Sequence, residues 1–453
     1  MNSLEKREVI INCLLILTVF LLSLLSCSEN SNPVSSRINA NDTIIFTKNE
    51  WKEDINYLAK ELPARHPDLF YQLSEEEFNK KANWIKKNLA KWGYNKIVVE
   101  LMKLVASVGD EHTSISPQTI NFLPIRPYLF SDGMYIVAAS NSYQDLIGKK
   151  ISQVGNLSIE ETRSKIKKVV SHSNKYWINH TLPQYICIPE ILFGLDITKN
   201  DNGSIYNIED VGPIEITLEN DNSSLIYLHD HIANPLPLYL KNNNQNYWYT
   251  FLEDSTFGYF QYNRCREMDT ISMEECINNF WDSIQKSDVK NIILDMRRNS
   301  GGSNRPFYQF RKIIYNNPFT FIRDDAFHFF VIIGRRTFSA AVNECIFIMQ
   351  YSKAIFLGEP TGGKPNHYGA CQSFTLPNSQ MHVQHSTKYI TPHNFYTNRK
   401  ALYPDYKYEM TFEDYKNGKA PIINAILDSS YVNFDTYDVF QERMTASNSN
   451  INE

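Results

Sequence analysis

The sequence predicts an α/β fold: a layered, parallel-type core preceded by a helical unit and a small α+β domain. Three observations carry this. Apolar residues recur at helical spacing over 47–108. Strand-like stretches, glycine turns and one capped helix fill 121–220. Strand and helix then alternate through 247–430, the pattern of a sheet built from parallel crossovers.

In the first part Trp51, Ile55, Leu58, Ala59 and Leu62 form one helical stripe. Phe78, Trp84, Ile85 and Leu89 form a second, and Ile97, Leu101, Leu104, Val105 and Val108 a third. Pro63 and Pro67 are expected to break the first helix from the second. The unit, 46–120, ends in GDEHTSIS. In 121–225, MYIVAAS reads as a strand, and DLIGKKISQVGNLSIEETRSKIKKVV as turn, strand, turn and helix. Ser158 and Glu161 have the spacing of a capping box. IEITLEN follows Gly212-Pro213 as a further strand. This order resembles a PDZ domain, with Lys175–Asp201 as an aromatic-rich insertion that could face a substrate; an unrelated α+β unit is the alternative.

The third part, 226–430, opens with two strand-like stretches in YWYTFLEDSTFGYFQYN, then a helix, MEECINNFWDSIQKS. The strand NIILDMR, the loop RNSGGSN and a helix from about Arg305 follow. Next come the strand FHFFVIIG, a helix starting near Ser339, and the strand AIFLGE. Residues 431–453 read as a tail.

A length of 453 residues allows two or three domains, and 42% hydrophobic residues suffice for a real core. The net charge of -5, with no basic stripe, argues against a nucleic-acid partner. Lys6 and Arg7 precede an apolar run from Val9 to Leu25 that ends in Leu24-Leu25-Ser26-Cys27. Residues 1–27 therefore read as a secretory signal. Its end resembles a bacterial lipobox, which implies a lipidated Cys27 and a flexible tether over 28–45. An uncleaved membrane anchor is the alternative, and both place the body outside the cytoplasm, periplasmic or on the cell surface. Beyond Cys13 and Cys27, five cysteines are scattered with no CxxC, so buried thiols are expected rather than a disulfide framework.

Three segments can carry chemistry. In FHFFVIIGRRTFSAAVNECIFIMQ, Ser339 stands at a strand-to-helix junction, over free backbone N–H groups and the positive end of a helix dipole. Such amides can hold an oxyanion; a plain N-cap is the competing reading. In NIILDMRRNSGGSN two glycines end a buried strand, where backbone can approach a ligand closely; an ordinary turn would look alike. In AIFLGEPTGGKPNHYG a glycine-rich loop presents Lys364. As a base this lysine would need its pKa brought from about 10.4 to about 7–8; otherwise it is a solvated surface group.

Taken together the segments resemble the serine-peptidase family of C-terminal processing (tail-specific) proteases, tricorn core peptidase and retinoid-binding repeats, an S41-like group. LDMRRNSGG matches D-x-R-x-N-x-G-G, TFSAA matches T-x-S-A, and GEPTGGK matches G-E-x-T-x-G-K. The resemblance spans about 45–430. It implies a crotonase-like (ClpP/crotonase) layered core and peptide hydrolysis without metal or other cofactor. It further implies Ser339 as nucleophile, Lys364 as its base, and an oxyanion hole from the amides of Ala340 and of Gly301 or Gly302. The implied partner is a polypeptide substrate. Val342 stands where many of these proteases have Glu, with Glu344 two places later, and Tyr368 where they often have Gln. The tricorn branch instead pairs the serine with an N-terminal histidine, and His112 in GDEHTSIS resembles it. The competing reading is a structural His112 whose ring is satisfied by Asp110 or Thr113. His367 is a nearby spectator. HExxH is absent, and the pairs His229/His231 and His382/His385 lack a third ligand in register. The functional alternatives are a non-catalytic binder on the same fold and a hydrolase of non-peptide esters or amides.

Overall fold

The computed structural model describes residues 46–219, 224–231, 236–252, 256–395 and 397–436. The signal segment, the whole of the tether and most of the tail lie outside them. Three helices come first: α1 (Lys48–Arg65), α2 (Glu75–Asn88) and α3 (Tyr94–Ala106). Thr47 with Glu50 and Ser74 with Glu77 close capping boxes at the first two, each cap worth about 1 kcal/mol. Pro63 does not end α1, contrary to expectation; it lies inside it. The helix stops at His66, whose extended backbone is what the following Pro67 imposes.

Strand β1 (Ser114–Ser116) leads to β2 (Ile125–Phe130), β3 (Gly133–Ala139), β4 (Lys150–Val154) and β5 (Leu157–Ser158). Then follow α4 (Ile159–Ile166), α5 (Lys175–Tyr185), α6 (Pro189–Gly194), β6 (Gly203–Ile208), β7 (Gly212–Thr217) and β8 (Ile226–Tyr227). Ser158 and Glu161 form the expected capping box on α4. The second domain is an antiparallel sheet in the order β2-β3-β4-β6-β7, and the insertion folds as α5 and α6.

The third part holds β9 (Tyr247–Leu252), β10 (Phe257–Tyr262), α7 (Met273–Gln285), β11 (Asn291–Asp295), α8 (Tyr308–Asn316), β12 (His328–Ile333), α9 (Ala340–Tyr351) and β13 (Ile355–Gly358). It continues through β14 (His367–Gly369), β15 (Gln372–Thr375), β16 (His382–His385), β17 (Lys388–Ile390), β18 (Tyr406–Lys407), α10 (Phe412–Lys416), α11 (Pro421–Leu427) and β19 (Asp435–Thr436). The main sheet runs β19-β18-β13-β12-β11-β10-β9. Its centre, β10 to β18, is parallel, with antiparallel edges. Strands β11 and β12 read as unbroken apolar runs because both faces are covered. The faces pack under α7, α8 and α9 on one side and α11 on the other.

A third apolar core joins α1–α3 to the antiparallel sheet. What brings the N-terminal unit to the main domain is strand pairing. β1 pairs antiparallel with β16, Ser114 opposite Gln384, and Gln384 Nε2 donates to the His112 carbonyl at 2.9 Å. Asp54 on α1 adds a second tie, accepting from the backbone of Asn378 and Ser379 at 2.9 and 2.8 Å.

Candidate active site

Strand β12 ends at Ile333, and the chain must turn within six residues to enter α9. Thr337 fixes that turn. Its Oγ1 accepts from Gly334 N at 3.0 Å and donates to Met296 O, just past β11, at 2.9 Å. Ser339 then takes φ 52°, ψ -126°, a region costly for a residue with a Cβ. It stands at the N-cap place of α9, but its hydroxyl makes no capping bond. An ordinary cap has extended backbone and an Oγ bonded to the second or third helical amide. Ser339 has neither, so the plain N-cap reading fails.

The glycine loop lies directly against it. Gly301 has φ 95° and Gly302 φ 130°, both where glycine is favoured. A Cβ on Gly301 would sit 2.7 Å from Phe338 O and 2.8 Å from Ser339 Cβ. Asn299 ties the two loops together. It is fully buried, its carbonyl accepts from Phe338 N at 3.1 Å, and its Oδ1 accepts from Gly301 N at 2.9 Å. The amide of Gly301 is therefore already engaged, which corrects its candidacy for an oxyanion hole. Among the described residues the amides of Gly302 and Ala340 have no partner. The role of Asn299 was missed at the sequence level, although it stands as the N of D-x-R-x-N-x-G-G.

The lysine loop seats on the same turn. The amides of Gly362 and Gly363 both donate to Thr337 O, at 3.1 and 3.2 Å. A Cβ on Gly363 would lie 3.1 Å from Ser339 N. Asn174, the residue just before the insertion, clamps this loop. Its Nδ2 donates to Gly362 O at 2.8 Å and Lys400 O at 2.7 Å, while its Oδ1 caps α5. Lys364 itself is half-buried. Its amide donates to Glu111 Oε1 at 3.1 Å, and its Nζ lies 5.7 Å from the centre of the Tyr71 ring. Glu111, also overlooked in the sequence between Asp110 and His112, accepts in addition from Ser173. Burial raises its carboxyl above the ordinary value, against the pull of the Lys364 ammonium and amide.

His112 comes from the far end of the chain to the same place. Its ring lies 4.7 Å from that of Phe338, the residue before Ser339, and stacks on His367 at 5.1 Å and 16°. Trp177 of the insertion also stacks on Phe338, at 4.2 Å and 21°. Both ring nitrogens of His112 are buried with no hydrogen-bond partner. The structural reading of this histidine therefore fails. Asp110 Oδ2 bonds His66 Nε2 at 3.1 Å and Ser386 Oγ at 2.6 Å, and takes the Thr113 hydroxyl too. Asp110 Oδ1 meets only the backbone N of His112, at 2.9 Å. Burial, with the neighbouring His367 and Lys364 outweighing Asp110, lowers His112 to about 3, so the ring is neutral. His367 is lowered as well, chiefly by burial, and its Nδ1 lies 3.1 Å from Pro365 O.

The displaced glutamate has another task. Glu344 is fully buried on α9 and forms a two-pronged pair with Arg311 of α8, at 2.6 and 2.8 Å. Tyr368 donates to Asp68 at 3.0 Å. Cys187, Cys265, Cys276 and Cys345 are buried thiols. No group of three His, Cys, Asp or Glu among the described residues could hold a metal ion.

No protein-family model matches the chain, and no curated protein sequence does. Solved structures do. Mature CPAF complexed with lactacystin superposes with a TM-score of 0.59 over 85% of this chain and 99% of that chain, at 11% identity. Mature CPAF alone gives 0.58 over 85% and 98%, also at 11% identity. The photosystem II D1 C-terminal processing protease gives 0.38 over 81% and 96%, at 11% identity. With nearly the whole of mature CPAF matched, the chain shares the fold of that protein, and within it the three motif segments meet at one turn.

Proposed function

We propose that this protein is a serine peptidase in which Ser339 is the nucleophile, His112 its general base, and the amides of Gly302 and Ala340 the oxyanion hole. The observation that carries the reading is the backbone of Ser339: a left-handed, uncapped serine pressed against a glycine loop. Strain of this kind is retained where function requires it. In the proposed reaction Ser339 Oγ attacks the peptide carbonyl carbon and its proton passes to the neutral His112 ring. The oxyanion forms toward the two free amides. Collapse breaks the C–N bond, His112 returns the proton to the leaving amine, and water then hydrolyses the acyl-enzyme by the same route.

Lys364 is the second reading for the base, favoured by the seating of Gly363 on Ser339 N. His112 is preferred because its two buried ring nitrogens lack partners, whereas the Lys364 Nζ is turned over the Tyr71 ring. The crotonase-like core and the PDZ-like character of the second domain belong to this proposal, as do export and anchoring through a lipidated Cys27, which rest on the Lys6–Cys27 segment. A fluorophosphonate probe with a casein assay tests the function. Labelling lost in Ser339→Ala, together with lost cleavage, supports it. Labelling retained in that variant sinks the nucleophile, and labelling without peptide cleavage redirects the enzyme to other esters or amides.

A further inference from the structure

The loop carrying Gly301 and Gly302 forms one wall of a cavity of about 800 Å³. Arg264, Arg266, Arg305, Lys312 and Arg336 line it, against two carboxylates, Glu267 and Glu274. One of those two is engaged: Glu267 Oε2 accepts from Met273 N at 2.7 Å and Tyr247 OH at 3.1 Å. Among the described residues none of the five cations is ion-paired.

The inner part of the cluster is the informative one. Arg336 stands three residues before Ser339 and close enough to Arg264 and Arg298 for the charges to oppose one another. Burial first, and that mutual repulsion second, lowers Arg336 to about 9. Arg264 reaches only uncharged oxygens of Asn243, Asn244 and Asn246, and its Nε is buried without a partner. Arg298 reaches only the Tyr239 carbonyl. Their chain neighbours differ: Arg297 pairs with Asp295 and Arg335 with Glu359. Two guanidinium groups here are thus neutralised by the fold and three are not. Like charges left together in a poorly solvated place oppose folding. The same charges at a cleft wall concentrate anions.

We propose that this cavity is a substrate subsite for peptide carboxylates, so that the protein acts on acidic peptides. The proposal rests on the serine-peptidase reading, because it is the contact with Gly301 and Gly302 that makes the cavity part of a substrate path. The carboxylate can come from Asp or Glu side chains near the bond cleaved or from the chain terminus.

Full-length Ser339→Ala protein and labelled peptides of matched sequence, rich in Glu, Gln or Lys and with free or amidated ends, separate these cases by fluorescence anisotropy. Glu peptides are expected to bind about tenfold or more tighter than Gln peptides at low salt, with the margin narrowing at high salt. A Glu preference that persists with amidated ends assigns side-chain carboxylates. A preference for free over amidated ends without it assigns the terminus. Arg336→Gln, and Arg305→Gln with Lys312→Gln at the exposed rim, each reduce the margin. Absence of both preferences, or tighter binding of Lys peptides, overturns the proposal. Since no bond is cleaved, this outcome is independent of whether Ser339 proves to be the nucleophile.

Discussion

The buried carboxylate of Asp110 holds Nε2 of His66 at 3.1 Å and leaves the ring of His112, two residues along, without a partner. The pairing has a consequence for stability. In the unfolded chain His112 titrates near 6.5; in the fold it is held to about 3. Between those values the unfolded chain binds a proton that the folded one does not. The contribution of His112 is therefore intact above pH 6.5 and is lost as the pH falls toward 3, at up to about 1.4 kcal/mol per pH unit. His112→Phe keeps the stacking on His367 and Phe338 and removes the proton site. Urea unfolding across this window should show a flatter pH dependence in the variant. Parallel curves would refute it.

The choice of base is separable by kinetics. His112→Ala is expected to lower kcat by about 10²–10⁴, the usual worth of a positioned base. Lys364→Met is expected to lower it by less than about tenfold, acting through the loop rather than the proton. Wild-type kcat/KM should keep its value well below pH 6.5, because a ring held near 3 stays neutral there. A collapse in Lys364→Met with His112→Ala near wild type would reverse the assignment.

The glycine loop gives a third expectation. A Cβ on Gly302 would lie 2.4 Å from Cys265 O, at φ 130°. Gly302→Ala must shift the loop, so the strain should lower stability by about 1–3 kcal/mol. Displacing one oxyanion donor should lower kcat by about 10²–10³ with little change in KM. Equal kcat for variant and wild type on a peptide ester would remove Gly302 from the oxyanion hole.

Much of this architecture is legible in local sequence, and the limits are physical. Strands β11 and β12 could be read because burial on both faces demands unbroken apolar runs. The cap at Ser158 could be read because its partner lies three residues on. Pro63 misled because a proline is tolerated in a helix whose apolar stripe, Trp51 to Leu62, is fully packed. Asn299, Asn174 and Glu111 escaped because they have remote partners, at Phe338, at Gly362 and Lys400, and at Lys364. Spacing along a chain does not report contacts made across it. His112 was found by motif, but its neutrality and its unpartnered nitrogens come only from packing against Phe338 and His367.

Glu344 supplies the last prediction. It stands two places after Val342, the position where many of the similar proteases have Glu, and it faces Arg311 across α8 and α9. Burial raises its carboxyl to about 7 even with that guanidinium in contact. Removing one member of such a pair strands the other, and Glu344→Gln should destabilise the fold by about 3–5 kcal/mol. Adding Arg311→Met removes the stranded charge and should recover most of the loss, a coupling that urea midpoints of the single and double variants measure directly. Activity per folded molecule should stay near wild type in the double variant, because neither side chain touches Ser339, His112 or Gly302. If kcat falls with Glu344→Gln and does not return in the double variant, Glu344 supports the nucleophile after all.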